Sequence, residues 1–339
     1  MRSARTGVVV ALVAVAVAVV ALAACGGGKH AKSPAHAQQA KKKPPVAPLT
    51  GLADTNGANH RCAITVKIDN TEAGHPKYGV EQADVVYEEV VEGGYTRLAA
   101  IFDSHTPDRV GSVRSVRKTD QSIVWPIGGV FVYSGGAPYA IASINTAPVV
   151  RLDETTAGPL MFRDDSRNPP WNLYAHVNFM YGKCGKRVPP QPLFTYRAAR
   201  APVGGVPATS VYVGFQGSPS FAVTWTWDGS SGTWKRSIFG SPEIAASGKQ
   251  LAPKNVVVMF VHYVGGDPNH GNIGAEAELT GQGRALVFTG GHEITGTWSR
   301  PDKNAPARLL NAAGQQIALT PGQTWVELPD TTYTVTKTP

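Results

Sequence analysis

The densest set of chemically useful side chains lies in ADVVYEEVVEGGYTRLAAIFDS, residues 83–104. Two alternating runs flank Gly93-Gly94, the pattern of a β-hairpin with a two-residue turn. In that register Glu92 faces Tyr95, Val90 faces Arg97 and Glu88 faces Ala99. Alternate residues of a strand share a face, so Glu88, Glu92 and Arg97 converge, with Arg97 diagonal to both carboxylates. Carboxylates grouped with a guanidinium can hold a cationic or polyol ligand, or divide acid and base roles between them. The same residues also serve as an ion-pair network across a sheet, the more frequent use of such a pattern. A three-residue turn would flip one strand and scatter the group.

A second cluster is DRVGSVRSVRKTD, residues 108–120. Ser112 or Ser115 can cap a helix over Ser115–Val124, which places Arg114 and Arg117 three apart on one face. Guanidiniums at a helix start suit an anion; they equally suit neutralisation of Glu88 and Glu92. A cleft lined by both signs also suits a zwitterion. Asp69-Asn70 closes an earlier strand, and RDDSRNPPWNLY, residues 163–174, leads into a helix expected over Trp171–Tyr181. The candidate ligand set is therefore Asp69, Asn70, Glu88, Glu92, Arg97, Arg114, Arg117 and Asn172, with Trp171 beside it. No catalytic residue is assigned.

Signatures of standard enzymes are missing: no G-x-S-x-G, no H-E-x-x-H, no Walker loop and no S-H-G-C. His262, His270 and His292 are too scattered and too poorly partnered by acids for a metal site, so neither metal nor cofactor is expected. FTGGHEITGTW, residues 288–298, reads as strand–turn–strand rather than a phosphate cradle, because no helix follows it.

The elements that must position these groups fall into two halves. Strands are expected at Cys62–Ile68, Ala83–Val91, Arg97–Phe102 and Gly129–Tyr133, with helices at Ser115–Val124, Pro138–Ile144 and Trp171–Tyr181. After the Pro- and Gly-rich stretch 197–209, short runs rich in Val, Thr, Trp and Phe predict antiparallel strands. These are Ser210–Gln216, Phe221–Trp227, Thr233–Ile238, Asn255–Val264, Arg284–Phe288 and Glu293–Trp298. The expected class is α+β: a mixed α/β module over 49–205, then a mostly antiparallel β module over 206–339. Trp225 and Trp227 share one strand face, as core residues do.

The first 48 residues are of another kind. Arg2 and Arg5 form a basic head, Gly7 to Ala24 is an apolar run, and Leu22-Ala23-Ala24 leads into Cys25. This is the plan of a signal peptide over 1–25. The run is also long enough to span a bilayer, but an uncleaved anchor leaves the cysteine unexplained. The arrangement resembles the lipobox of bacterial lipoproteins, which implies acylation of Cys25 and attachment to the outer face of the cytoplasmic membrane. Residues 26–48, rich in Gly, Pro, Gln and Lys, cannot bury enough surface to offset ordering and read as a disordered tether. Its lysines suit anionic head groups as well as solubility.

This separation changes the reading of charge. The chain carries 32 Lys and Arg against 24 Asp and Glu, net +8. Residues 1–48 hold seven of the basic residues and no acid, which leaves the remainder at +1. The charge therefore supports a nucleic-acid role poorly, and no nucleic-acid partner is expected. Beyond Cys25 the cysteines are Cys62 and Cys184, which suit a disulfide in an exported protein or a pair of buried thiols.

Three segments together, KIDN (67–70), DVVYEEVVEGGYTRLAAIFDS…VGSVRSVR (84–117) and GRALVFTGGHEITGTWSR…GQTWVELP (283–329), resemble the YerB-like bacterial lipoproteins. The resemblance runs from about residue 49 to 330 and implies two modules with no established activity, so it carries no catalytic residues over. One departure stands out: Trp171 occupies the position of a histidine in the Pro-His-Asn-Leu-Tyr pattern. The expectation is a membrane-tethered binding protein of the cell envelope, its ligand an envelope protein, a small molecule or a glycan. The alternative is an envelope hydrolase or transferase using Glu88 or Glu92; a third reading is a structural partner of another envelope protein.

Overall fold

The computed structural model describes residues 45–198, 201–215, 221–266 and 274–339. Cys25, the signal segment and the tether up to residue 44 lie outside the described residues. The expected end of the tether is corrected, since Ala47 is buried and Val46 bridges Ala53, so the ordered fold already includes residues 45–48.

Thirteen strands carry the argument. In the first half they are β1 (Ile64–Asp69), β2 (Val85–Val90), β3 (Thr96–Phe102), β4 (Val130–Val132) and β5 (Val150–Leu152). In the second half come β6 (Ser210–Val213), β7 (Val223–Asp228), β8 (Thr233–Ile238), β9 (Asn255–Met259), β10 (Gly281–Thr289), β11 (His292–Arg300), β12 (Thr324–Leu328) and β13 (Val335–Thr338). Among the described residues the α-helices all precede residue 197; α1 is Lys118–Val124 and α2 is Pro138–Ile144.

The two halves share one sheet. Its central order is β11-β10-β9-β12-β2-β3-β1-β4-β5, with the strands Val206–Pro207 and Arg308–Asn311 on β11. β12, near the C-terminus, lies parallel to both β9 and β2 and sits between them. The Pro- and Gly-rich stretch 197–209 is therefore no break in the sheet. A second sheet, β8-β7-β6-β13 with Ser241–Pro242 at its edge, packs on one face.

Both faces of the central strands are covered, so they read as continuous apolar runs rather than clean alternation. Ile64, Val66, Ile68, Leu98, Ala100 and Phe102 share a core with Trp225, Trp234 and Val211 of the second sheet. On the opposite face Val85, Ala99, Ile101 and Val326 pack with Ile123 of α1 and with Leu193, Phe194 and Leu319. Trp225 is fully buried and Trp227 packs at the edge of the same core. Cys62 and Cys184 form a disulfide with Cα atoms 5.8 Å apart, joining chain positions separated by 122 residues.

Two helical expectations are corrected. Leu173–Ala175 is a strand paired with Met161–Arg163, and only Val177–Met180 is α-helical. Tyr174 is wholly buried and the Leu173 carbonyl accepts from Val113 N at 2.7 Å, so tertiary pairing overrides local propensity. The helix expected from Ser115 begins instead at Lys118, where the Asp120 carboxylate accepts from Arg117 N at 2.7 Å. Neither Ser112 nor Ser115 is the cap: Ser112 Oγ donates to the Trp171 carbonyl at 2.5 Å, and the Ser115 carbonyl accepts from Arg97. Arg114 thus lies in extended chain running beside β1.

Candidate binding cavity at the sheet end

The hairpin between β2 and β3 closes with a three-residue loop, Glu92-Gly93-Gly94, so that Val90 faces Thr96, Glu89 faces Arg97 and Glu88 faces Leu98. Val91 N donates to the Tyr95 carbonyl at 2.8 Å, and Gly93 and Gly94 take φ of 70° and 73°, values glycine adopts freely. The two-residue turn read from the sequence is corrected, and the one-residue slip moves every side chain of one strand to the other face. Glu88 and Arg97 lie on opposite faces of the sheet.

Glu88 is fully buried between the two sheets. It accepts from Asn70 Nδ2 at 2.8 Å, Thr96 Oγ1 at 2.7 Å and Arg236 at 2.6 Å. Arg236, on β8, also pairs with Glu243, which accepts from Lys77 Nζ at 2.6 Å. Glu327 on β12 stands opposite Glu88; burial and the Glu88 charge push its pKa well above the ordinary carboxylate value. This is a buried polar seam holding the second sheet to the first. Asn172 is also buried, its Oδ1 accepting from Arg163 at 2.7 Å.

The other face gathers the remaining candidates. Lys67 reaches past the small Ala99 to pair with Glu89 and, at 2.8 Å, with Asp120 of α1; all three side chains are fully buried. Burial raises the Glu89 pKa despite the Lys67 charge. Asp69, opposite Arg97 in the β1–β3 pairing, has its Oδ2 3.0 Å from Arg114 Nε. Glu92 receives both Nε and an Nη of Arg117 at 2.8 and 2.7 Å. Burial works to raise the Glu92 pKa, but the bidentate Arg117 prevails and holds it below the usual value. Arg97 donates to the Ser115 carbonyl at 3.0 Å. Among the described residues no carboxylate lies within ion-pair distance of it.

At this end of the sheet opens a cavity of about 730 Å³. Arg97 and Arg114 line it with Glu92, Thr96 and Thr71, and Glu72 stands exposed at its rim. Its apolar walls are Tyr95, Trp171, Phe221 and Phe239. Tyr95 and Phe221 meet edge to face at 4.6 Å, and Phe221 meets Phe239 likewise at 5.7 Å. Trp171 Nε1 donates to Thr71 Oγ1 at 3.1 Å, which fixes the indole. Phe239 is held at φ 53°, a left-handed conformation that costs a non-glycine residue about 1–2 kcal/mol. Its packing on Phe221 and on His75, 5.4 Å away, holds it there. Strained residues of this kind collect at ligand sites.

Of the sequence-derived set, the cavity thus brings together Glu92, Arg97 and Arg114, with Asp69 and Arg117 just behind them. Asn70, Glu88 and Asn172 do not line it, although Asn70 and Glu88 both bond the lining Thr96 from behind. Tyr95, Phe221 and Phe239 went unrecognised, because nothing in the chain order signals that the β8 turn meets the β2–β3 tip. Among the described residues no group of three or more His, Cys, Asp or Glu is arranged to hold a metal ion.

The fold is mixed and sheet-dominated, and the cavity is lined by residues from both sequence halves. Residues 49–188 match the family model described as "Protein of unknown function (DUF3048) N-terminal domain", and residues 211–326 match its C-terminal counterpart. The chain is a member of this family. A relative is "Putative lipoprotein YerB" of Bacillus subtilis (strain 168), 26% identical over 294 residues that cover 84% of this chain and 86% of the relative. The crystal structure of YerB protein from Bacillus subtilis has the same fold, with a TM-score of 0.75 at 23% identity over 86% of this chain and 100% of that one.

Proposed function

We propose that this chain is an extracytoplasmic lipoprotein, anchored by a lipid on Cys25 to the outer face of the cytoplasmic membrane, that binds a small ligand in the cavity at the sheet end. Signal peptide 1–25 and a tether from residue 26 precede a mixed α/β module and a mostly antiparallel β module, which divide at about residue 205. The name of the Bacillus relative supports the lipoprotein reading. So does the disulfide, since such bonds persist in oxidising, extracytoplasmic surroundings. Among the described residues no helix is long and apolar enough to cross a membrane.

One observation carries the binding reading: a cavity of about 730 Å³, within the range of small-molecule sites, walled by aromatic rings with a few polar groups converging on it. The carboxylates favour binding over hydrolysis or group transfer. A general acid needs a raised pKa and access to substrate; Glu92 is held low by Arg117, and Glu88 is sealed between the sheets.

Native mass spectrometry of the full chain isolated from cells tests the binding. A bound small molecule lost in Ala73→Trp, which fills the cavity from its exposed lip, is the expected result. Bare protein in both samples would refute it. For the anchor, Cys25→Ser is expected to leave an uncleaved precursor; normal processing and membrane retention of that variant would sink the assignment.

A further inference from the structure

We infer that the cavity recognises an oxyanion, phosphate or carboxylate, carried on a ring or other apolar body, with the Arg97 guanidinium as its principal contact. The inference rests on the reading of the cavity as a ligand site and specifies what enters it.

Four cations stand on this face of the sheet end: Lys67, Arg97, Arg114 and Arg117. Four carboxylates accompany them, but the pairing is uneven. Lys67 takes both Glu89 and Asp120. Arg114 takes Asp69 and Arg117 takes Glu92. Among the described residues Arg97 is left with one backbone carbonyl, that of Ser115, for its five donors. Glu89, its direct neighbour across the β2–β3 pair, is drawn off by Lys67 through the gap above Ala99. A largely buried cation with no carboxylate in direct contact is costly, even with Asp69 and Glu92 nearby. Burial, followed by the charges of Arg117 and Arg114, pulls the Arg97 pKa down to about 10 against the opposing charges of Glu92 and Asp69, so it remains charged at neutral pH.

That unpaired charge faces the cavity, and so does Arg114. Of the acids lining it, Glu92 is occupied by Arg117, and Glu72 is exposed at the rim, where water already solvates it. An entering oxyanion would gain bidentate hydrogen bonds from a guanidinium already ordered and partly desolvated. An entering ammonium would meet two guanidiniums and find its only free acid in solvent. The walls of Tyr95, Trp171, Phe221 and Phe239 cover an apolar or planar body beside the anionic group.

Calorimetric titration of the full lipidated chain in detergent micelles, with the micelle blank subtracted, tests this. Four probes share one ring and differ in charge: phenyl phosphate, phenylacetate, benzyl alcohol and benzylamine. The expected result is that at least one anion binds tenfold or more tightly than the alcohol and the amine. That preference should fall at least tenfold in Arg97→Gln and be partly kept in Arg97→Lys. If Arg97→Gln fails to fold, the wild type decides: raising salt from low to high should weaken the anion and leave the alcohol unchanged. The two anions separate a phosphate from a carboxylate ligand. Alcohol or amine binding as tightly as both anions, with no dependence on salt or on Arg97, would overturn the inference while leaving the cavity a ligand site. Absence of binding by all four would overturn both.

Discussion

Replacing Arg236 by methionine should be among the most damaging single changes outside the apolar core. The side chain has no exposure and lies between the sheets, donating to Glu88 at 2.6 Å and pairing with Glu243. Its guanidinium also lies 4.8 Å from the Trp325 ring centre. Methionine matches its length but offers no donor, leaving two buried carboxylates short of a partner. Removing one member of a buried ion pair costs about 3–5 kcal/mol. Glu243 retains Lys77, and Glu88 retains Asn70 and Thr96, so the expected loss is about 4 kcal/mol rather than twice that. At roughly 2–4 °C per kcal/mol for a chain of this size, Tm should fall by about 8 °C or more. Urea unfolding followed by tryptophan fluorescence reads it directly, since Trp225, Trp234 and Trp325 surround the site. Glu88→Gln and the double variant complete the cycle, and a coupling of about 1–3 kcal/mol is expected. A stability within about 0.5 kcal/mol of wild type for Arg236→Met, the range of an ordinary surface change, would refute the seam as a determinant of sheet docking.

Further expectations follow from other sites. Asp103 is buried beside Asp84, and burial together with that charge raises its pKa to about 8. Its folded value exceeds its unfolded one, so its contribution is complete at acid pH and is lost as pH rises to 8; wild type should therefore lose Tm relative to Asp103→Asn between pH 6 and pH 9, and parallel curves would contradict this. The Cys62–Cys184 bridge closes a loop spanning 122 residues, so the Cys62→Ala, Cys184→Ala chain should lose about 2–5 kcal/mol in chemical denaturation, against an unchanged midpoint if the bond is incidental. Gly129 takes φ of 78°, and a Cβ there would stand 2.1 Å from the Ala63 carbonyl oxygen. Gly129→Ala should therefore cost at least about 2 kcal/mol at the β1–β4 junction, whereas full thermal stability would show that the backbone yields freely.

What the sequence disclosed depended on how local the determining physics was. The strand Thr233–Ile238 and helix Pro138–Ile144 have the bounds their patterns predict, because turn residues and apolar spacing bracket them. The hairpin tip was legible as a hairpin, yet Gly93-Gly94 admits a two- or a three-residue loop, and adjacent Glu88 and Glu89 make that one-residue choice decisive. Sequence therefore named the right segment and put the wrong glutamate beside Arg97. The union of both halves in one sheet rests on parallel pairing between residues near 88 and near 327, for which no local signal exists. The aromatic wall was hidden for the same reason: Phe221 and Phe239 reach the cavity only through the docking of the second sheet. Trp171–Tyr181 misled because its apolar spacing fits a helix, while buried Tyr174 and the Val113 pairing demand an extended chain.

The position of β12 has a consequence for how the chain reaches its final state. A polypeptide emerges N-terminus first, and β2 cannot acquire its second neighbour until residues 324–328 have appeared. Until then β2 is a bare apolar edge, open to pairing with other chains. The first half therefore cannot complete its sheet during synthesis, and a chain cut short before Thr324 leaves both β2 and β9 uncapped. So distant a closure keeps the sheet of the first half incomplete until residues 324–328 have arrived, and makes its assembly depend on a contact of high sequence separation.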